Sequence, residues 1–185
     1  MLKKNPTEHL PIISKKAFID DTAVICGHVI IEDNVYVGPY AVLRADEIDS
    51  DGQLEPIIIR QKSNIQDAVI IHGKGGAGVE IGERTSIAHR ALIHGPCWIG
   101  NDVFVGFNSI IFNSHINHGC VIEHSVVIDD ASLNSSIHVP SASNINNEYD
   151  LSRLQKTQEN HKIFAKSVIK ANQYLVKGYA DLNKD

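Results

Sequence analysis

The chain has 185 residues, 43% of them hydrophobic and 21% charged, which suits one soluble globular domain with a sizeable core. It has no apolar run near the ~18 residues of a membrane span, and no apolar stretch after the early lysines, so neither a membrane protein nor a signal peptide is expected. The net charge of -5 argues against nucleic acid as a partner, and three scattered cysteines exclude a disulfide framework and fit a cytoplasmic protein.

Aliphatic residues recur at every sixth position along most of the chain. This period matches neither a helix nor simple alternation, and it predicts short strands joined by tight turns, each with one inward aliphatic side chain. We therefore expect a mainly β protein, a left-handed parallel β-helix of hexapeptide repeats with about six coils. These aliphatic residues form four series, which are Ile13, Ile19, Ile25, Ile31, Val37 and Leu43; Ile59, Ile65 and Ile71; Ile81, Ile87, Ile93, Ile99, Val105 and Ile111; and Ile116, Ile122 and Ile128.

Two insertions interrupt the repeat, an acidic loop at 44–58 and a glycine-rich loop at 72–80. After the last series of aliphatic residues, the polar segment 132–147 is interpreted as a cap and linker. Residues 148–182 then have apolar side chains at helical spacing, with Gly178 as the expected stop. We predict a β-helix domain at 1–147 and a C-terminal helix at 148–185 that packs on it. The helical apolar positions are Phe164, Val168, Ala171 and Leu175.

Counting repeat units predicts which side chains stack. Units three apart lie on the same face, so Arg44, His72, His94 and Phe112 should form one vertical column. His72 and His94 would then be neighbours about 4.8 Å apart, close enough for both imidazoles to reach one metal ion. His89 belongs to the adjacent face and could join them only from a second subunit, which three-fold symmetry provides.

Three neutral histidines leave a tetrahedral zinc with one open position, at which bound water becomes a nucleophile at neutral pH. For the other seven histidines a role as solvated or core residues is the simpler interpretation. These are His9, His28, His115, His118, His124, His138 and His161.

These motifs resemble those of the γ-class carbonic anhydrases over nearly the whole chain. Segment 44–47 is similar to the family's Arg-x-Asp-Glu, segment 63–72 to its Ser-Asn-x-Gln-Asp-x-x-x-x-His, and segment 89–95 to its His-x-x-x-x-His-Gly. Segment 91–127 is also similar to the anhydrase-like head of the carboxysome organising protein. The resemblance implies a homotrimer that hydrates carbon dioxide reversibly to bicarbonate. It implies a metal, zinc with Fe²⁺ or Co²⁺ possible, held by His72, His89 and His94 across the subunit interface.

The resemblance also implies roles for six further residues. Glu47 matches the active-site glutamate, and Gln66 matches a glutamine that hydrogen-bonds the metal-bound hydroxide. Asn172, in a helical segment similar to Asn-x-x-Leu-x-x-Gly-Tyr, matches a residue that contacts carbon dioxide or bicarbonate. The substrate and interface residues would be Arg44, Asp46 and Asn64.

The sequence departs from the family's pattern at one point, and other functions therefore stay open. The best-studied branch of the family has a proton-shuttling glutamate in the loop after the first metal histidine, and the short loop here lacks a matching one. The chain could therefore be a weak or inactive anhydrase-like scaffold. Because acyltransferases share the β-helix, an acyl-CoA transferase with a histidine base at a subunit interface is a further alternative.

Overall fold

The computed structural model describes residues 1–146 and 148–182 and shows a parallel β-solenoid with three faces. Each strand pairs with the strand three positions further along the chain, so each turn contributes one strand to each face. The first face consists of β1 (Leu2–Lys3), β4 (Val24–Gly27), β7 (Val42–Ala45), β10 (Ile70–His72), β13 (Leu92–His94), β16 (Ile110–Phe112), β19 (Val127–Asp129) and β22 (Asn144–Ile145).

The second face consists of β2 (Ile12–Ile13), β5 (Val29–Ile31), β8 (Ile57–Ile59), β11 (Val79–Ile81), β14 (Cys97–Ile99), β17 (His115–Ile116) and β20 (Ser132–Leu133). The third face consists of β3 (Phe18–Ile19), β6 (Tyr36–Val37), β9 (Asn64–Ile65), β12 (Ser86–Ile87), β15 (Phe104–Val105), β18 (Val121–Ile122) and β21 (Ile137–Val139), with β23 (Gln155–Lys156) added antiparallel at its end.

The core is a single stack of aliphatic side chains inside the solenoid. From the second coil onward the six-residue positions are buried, and Ile25, Leu43, Ile71, Ile93 and Ile111 have no exposed surface. Each such side chain contributes roughly 1.5–3 kcal/mol through its removal from water. The period of six therefore builds the core as predicted.

The solenoid is longer than the predicted six coils, with about seven turns. The prediction of a cap and linker at 132–147 is wrong, because β20, β21 and β22 continue the three faces. Leu133, Val139 and Ile145 are buried at a renewed spacing of six. The repeat resumes after a slip of one residue, and the polar residues between these positions conceal it in the sequence.

The C-terminal part is not one continuous helix. A short helix α1 (Glu148–Ser152) and strand β23 precede the long helix α2 (Glu159–Leu182), which runs past Gly178. The predicted domain boundary falls at residue 147, which lies outside the described residues, as do 183–185.

Helix α2 lies along the third face of the solenoid. Its Ala165 and Val168 pack against Ala88, Phe104 and Val121, whereas Phe164 and Leu175 stay more than two-fifths exposed. Among the described residues, none of the helices combines the length and the apolar character needed to cross a bilayer.

Candidate metal centre

The predicted column of side chains is confirmed by the strand register of the first face. His72 pairs with Arg44 on one side and with His94 on the other, and His94 pairs with Phe112. The two imidazole rings meet edge to face, with their centroids 5.1 Å apart, and His72 Nδ1 lies 3.3 Å from His94 Nε2.

These two histidines fit a bound metal ion. A tetrahedral zinc with bonds of ~2.0–2.1 Å has neighbouring ligand atoms about 3.3 Å apart, which is the separation of these two nitrogens. His94 Nδ1 donates to the carbonyl of Gly95 at 3.0 Å, so its Nε2, which faces His72 Nδ1, carries the lone pair that a metal requires. His72 Nε2 is buried and has no hydrogen-bond partner among the described residues.

Two carboxylates face that unpartnered nitrogen. Glu47 Oε1 lies 3.4 Å from His72 Nε2, and Asp46 Oδ1 lies 3.7 Å from it. Asp46 Oδ1 is itself buried without a partner among the described residues. If a metal ion takes His72 Nδ1, the ring proton lies on Nε2 and faces these two acceptors, and such a carboxylate partner orients a ligating imidazole.

Arg44 fixes Asp46 in this position. Its Nε donates to Asp46 Oδ2 at 3.1 Å, and a second guanidinium nitrogen lies 3.0 Å from the same oxygen. The hydrogen bond to Asp46 raises the pKa of Arg44 above its ordinary value, so the guanidinium stays charged. Asp46 is mostly buried and Glu47 is half exposed, so Glu47 connects the histidine pair with solvent.

The loop that carries Asp46 and Glu47 is held by the neighbouring insertion. A Cβ on Gly75 would lie 2.6 Å from the carbonyl oxygen of Ile48, and one on Gly76 would lie 2.5 Å from Asp49 Oδ2. Only glycine permits this approach. The two insertions therefore pack against each other beside His72.

His89 does not join His72 and His94 within one chain. It lies at the corner after β12, where its Nδ1 is 3.5 Å from Asp67 Oδ2 and its ring is 5.4 Å from that of Phe107. Its side chain is 45% exposed. Among the residues that the structure describes, Glu123, His138 and His161 bring three metal-ligand atoms close together, and the sequence predicts no metal-binding role for this group.

The structure places Asn64, Gln66 and Asn172 on another face, where α2 packs. Gln66 Nε2 donates to Asn64 Oδ1 at 2.9 Å, and Asn64 Nδ2 donates to Ser86 Oγ at 2.8 Å; all three residues are buried. Asn172 is buried in α2 and donates to the carbonyl of Val168 at 2.9 Å. Within one chain, five of the predicted site residues therefore lie together, and the others lie elsewhere. The five are His72, His94, Arg44, Asp46 and Glu47.

The fold and the repeat agree with a known family. Residues 11–45 match the bacterial transferase hexapeptide family of six repeats. The chain is built of such six-residue repeats. A hexapeptide transferase family protein from Anaplasma phagocytophilum has the same fold, with a TM-score of 0.80 at 22% identity over 97% of this chain and 98% of the other. A putative acetyltransferase from Bacillus cereus gives a TM-score of 0.82 at 19% identity over 98% of both chains.

Three curated relatives are similar to this chain in sequence. The hexapeptide-repeat protein is 36% identical to the carboxysome assembly protein CcmM of Nostoc, over 90% of this chain and 31% of the relative. It is 27% identical to a carbonic anhydrase of Methanosarcina thermophila, over 96% of this chain and 78% of the relative. It is 40% identical to the carnitine operon protein CaiE of Escherichia coli, over 64% of this chain and 54% of the relative. The chain thus spans about a third of CcmM and about half of CaiE.

Proposed function

We propose that this hexapeptide-repeat protein is a metal-dependent γ-class carbonic anhydrase, a lyase that hydrates carbon dioxide reversibly to bicarbonate. The observation that carries the proposal is the pair of histidine nitrogens 3.3 Å apart, next to an unpartnered buried nitrogen that faces Glu47. Similarity to a carbonic anhydrase over 96% of the chain supports the same reaction.

His72 and His94 would hold the ion together with His89 of a neighbouring copy. Zinc is the proposed ion, with Fe²⁺ or Co²⁺ as alternatives, because neutral imidazoles suit all three. When bound, the ion supplies a Lewis acid that makes water a nucleophile at neutral pH.

Glu47 is the proposed proton acceptor. Its carboxylate lies 3.4 Å from His72 Nε2, and its half-exposed side chain can pass a proton from the site to bulk solvent. Asp46 and Arg44 form the adjacent ion pair, whose guanidinium offers a positive charge to the bicarbonate product. The roles proposed for Gln66 and Asn172, to orient the attacking oxygen and to contact carbon dioxide, require a partner's third face to approach the histidine column.

A homotrimer would provide that approach, and the first face has the surface for it. Ile70 lies on β10 with His72, and Ile110 and Phe112 lie on β16, which pairs with the strand of His94. All three side chains are about two-fifths exposed. Exposed aliphatic and aromatic side chains in one stripe are typical of a protein interface. Asn64, which positions Gln66, and Asp67, which contacts His89, lie on the face that would meet this stripe.

We further propose a cytoplasmic setting without nucleic acid or membrane as partner. Cys26, Cys97 and Cys120 are unpaired and buried, as in proteins from reducing compartments.

Metal content and stopped-flow hydration of carbon dioxide test the function together. We expect the purified protein to bind zinc and to hydrate carbon dioxide, and His94→Ala to lose the metal of this site and at least ~100-fold in rate. His115→Ala, on the second face, is the matched control and should retain both. Full activity in His94→Ala would refute the proposal. Metal bound at this site without activity would favour a scaffold, and acetyl-CoA binding without metal there would favour a transferase.

A further inference from the structure

A second group of metal-binding side chains lies far along the solenoid from His72. Glu123 follows β18, His138 lies in β21 of the next coil, and His161 is in the first turn of α2. One ligand atom of each lies within 4.8 Å of the other two. Three separate elements thus converge on one point, where the helix begins to pack on the third face.

The carboxylate of this group is held in place and ionised. Glu123 Oε1 accepts from His138 Nε2 at 2.9 Å, and Glu123 Oε2 accepts from the backbone N–H and the hydroxyl of Ser141 at 3.0 and 2.9 Å. The hydrogen bond from His138, followed by those from Ser141, lowers the pKa of Glu123 to about 2. These contacts fix the position of the two carboxylate oxygens, and a metal ion that took His138 Nε2 would replace the hydrogen bond between that nitrogen and Oε1.

The two imidazoles stack beside it, with ring centroids 4.0 Å apart and planes tilted by 28°. Coordination by both rings requires His161 to rotate about its side-chain torsions, since metal bonds lie in the ring planes. The restraint on His161 is weak, a 3.3 Å hydrogen bond that its Nδ1 accepts from the backbone N–H of Gln158. The rotation would therefore exchange stacking and one long hydrogen bond for a metal bond.

We propose that Glu123, His138 and His161 form a second metal site that binds a divalent ion of the zinc class and ties α2 to the solenoid. Two imidazoles and one carboxylate are a common ligand set for zinc with one position open. A cavity of about 330 Å³ lined by Glu123, His161, His124 and Phe164 leaves room for water or a small anion at that position.

A metal ion at this site would stabilise the contact between α2 and the solenoid. Its ligands come from two consecutive coils and from α2, and they converge only when the helix is docked. A ligand that binds the docked state alone stabilises it by mass action. The site would thus link the docking of α2 on the third face to metal supply.

The test uses the full chain with His94→Ala, so that the centre proposed for catalysis does not contribute. We expect the metal-free variant to bind about one Zn²⁺ per chain in calorimetry and to unfold at a higher temperature with Zn²⁺. Adding His161→Ala should weaken binding at least ~10-fold and abolish the thermal shift. Adding His115→Ala, the matched control, should change neither.

Glu123→Gln in the same background keeps the shape of the side chain and its contacts with Ser141, so it separates ligand loss from misfolding. It should also lose zinc while circular dichroism stays that of the parent. The proposal is overturned if His94→Ala binds no Zn²⁺ up to 100 times the protein concentration. It is equally overturned if the His161→Ala double variant keeps full affinity.

Discussion

His72 and His94 occupy the same position in consecutive coils, and their ring nitrogens lie 3.3 Å apart on the outer surface of the first face. Parallel strand pairing holds the backbones of these two residues about one strand spacing (~4.8 Å) apart, so both imidazoles can reach one ion. Two of the three proposed histidine ligands are therefore placed side by side by one chain. The third, His89, would come from another copy.

Mixing two inactive variants tests this dependence. His89→Ala and His94→Ala should each abolish hydration, because each removes one ligand from every site. Trimers assembled from both chains in equal amounts should regain roughly one quarter of wild-type activity, since one ordered interface in four then pairs an intact His72–His94 with an intact His89. The measurement is the hydration rate after joint unfolding and refolding.

Mixing His72→Ala with His94→Ala is the control. Both ligands belong to the same chain in the proposed centre, so no interface in such a mixture is complete. Recovery in this control, or none in the first mixture, would contradict the shared site.

Glu47→Gln tests the proposed proton acceptor. The amide has the size of the carboxylate but cannot accept a proton, so kcat should fall about 10²-fold while zinc content stays unchanged. Glu55→Gln, in the same acidic loop, is the matched control and should leave kcat intact. Addition of a small buffer such as imidazole should restore part of the Glu47→Gln rate if the missing step is proton transfer. An unchanged kcat would remove Glu47 from the mechanism.

The histidine column was predictable because a solenoid turns sequence spacing into geometry. Counting units of six placed His72 beside His94, and the strand register agrees. The end of the solenoid was not predictable in the same way. The step from Ile128 to Leu133 is five residues, and the following buried positions are separated by serines and asparagines that give no core signal.

The helix shows a second limit of sequence reasoning. Gly178 does not end α2, because a glycine on an open helix surface costs only about 1 kcal/mol relative to alanine and the helix tolerates it. The packing of the two insertions, and the group of Glu123, His138 and His161, depend on contacts between distant elements. Neither follows from a repeat of six.

Gly75→Ala tests whether the glycine-rich loop positions the acidic one. The added methyl would lie 2.6 Å from the backbone carbonyl oxygen of Ile48, so the loop with Asp46 and Glu47 has to move away. We expect faster hydrogen exchange across residues 46–56 and a lower hydration rate, without a change in the solenoid. Gly73→Ala is the matched control in the same loop, since its methyl meets only an ordinary contact at 3.4 Å. Equal exchange in both variants would show that the loops are independent.

Alkaline pH tests how tightly the N-terminal coils and α2 enclose Tyr36. Burial, followed by the charges of Asp67, Tyr179 and Asp20, raises the pKa of Tyr36 to about 12. In the unfolded chain this phenol ionises near ~10, so above that pH the unfolded state releases a proton that the folded state keeps. The stabilisation that Tyr36 contributes is complete below pH ~10 and is lost between pH ~10 and ~12. At ~1.36 kcal/mol per pKa unit, the shift in pKa corresponds to at most about 3 kcal/mol of the free energy of unfolding.

Tyr36→Phe removes this titration. The free energy of unfolding, measured with urea from pH 9 to pH 12, should therefore fall less steeply in Tyr36→Phe than in the wild type. Tyr40→Phe is the control, because Tyr40 is 68% exposed and its removal should leave the slope unchanged. Identical slopes for wild type and Tyr36→Phe would mean that the phenol ionises equally in both states, and that α2 does not shield the third face from water.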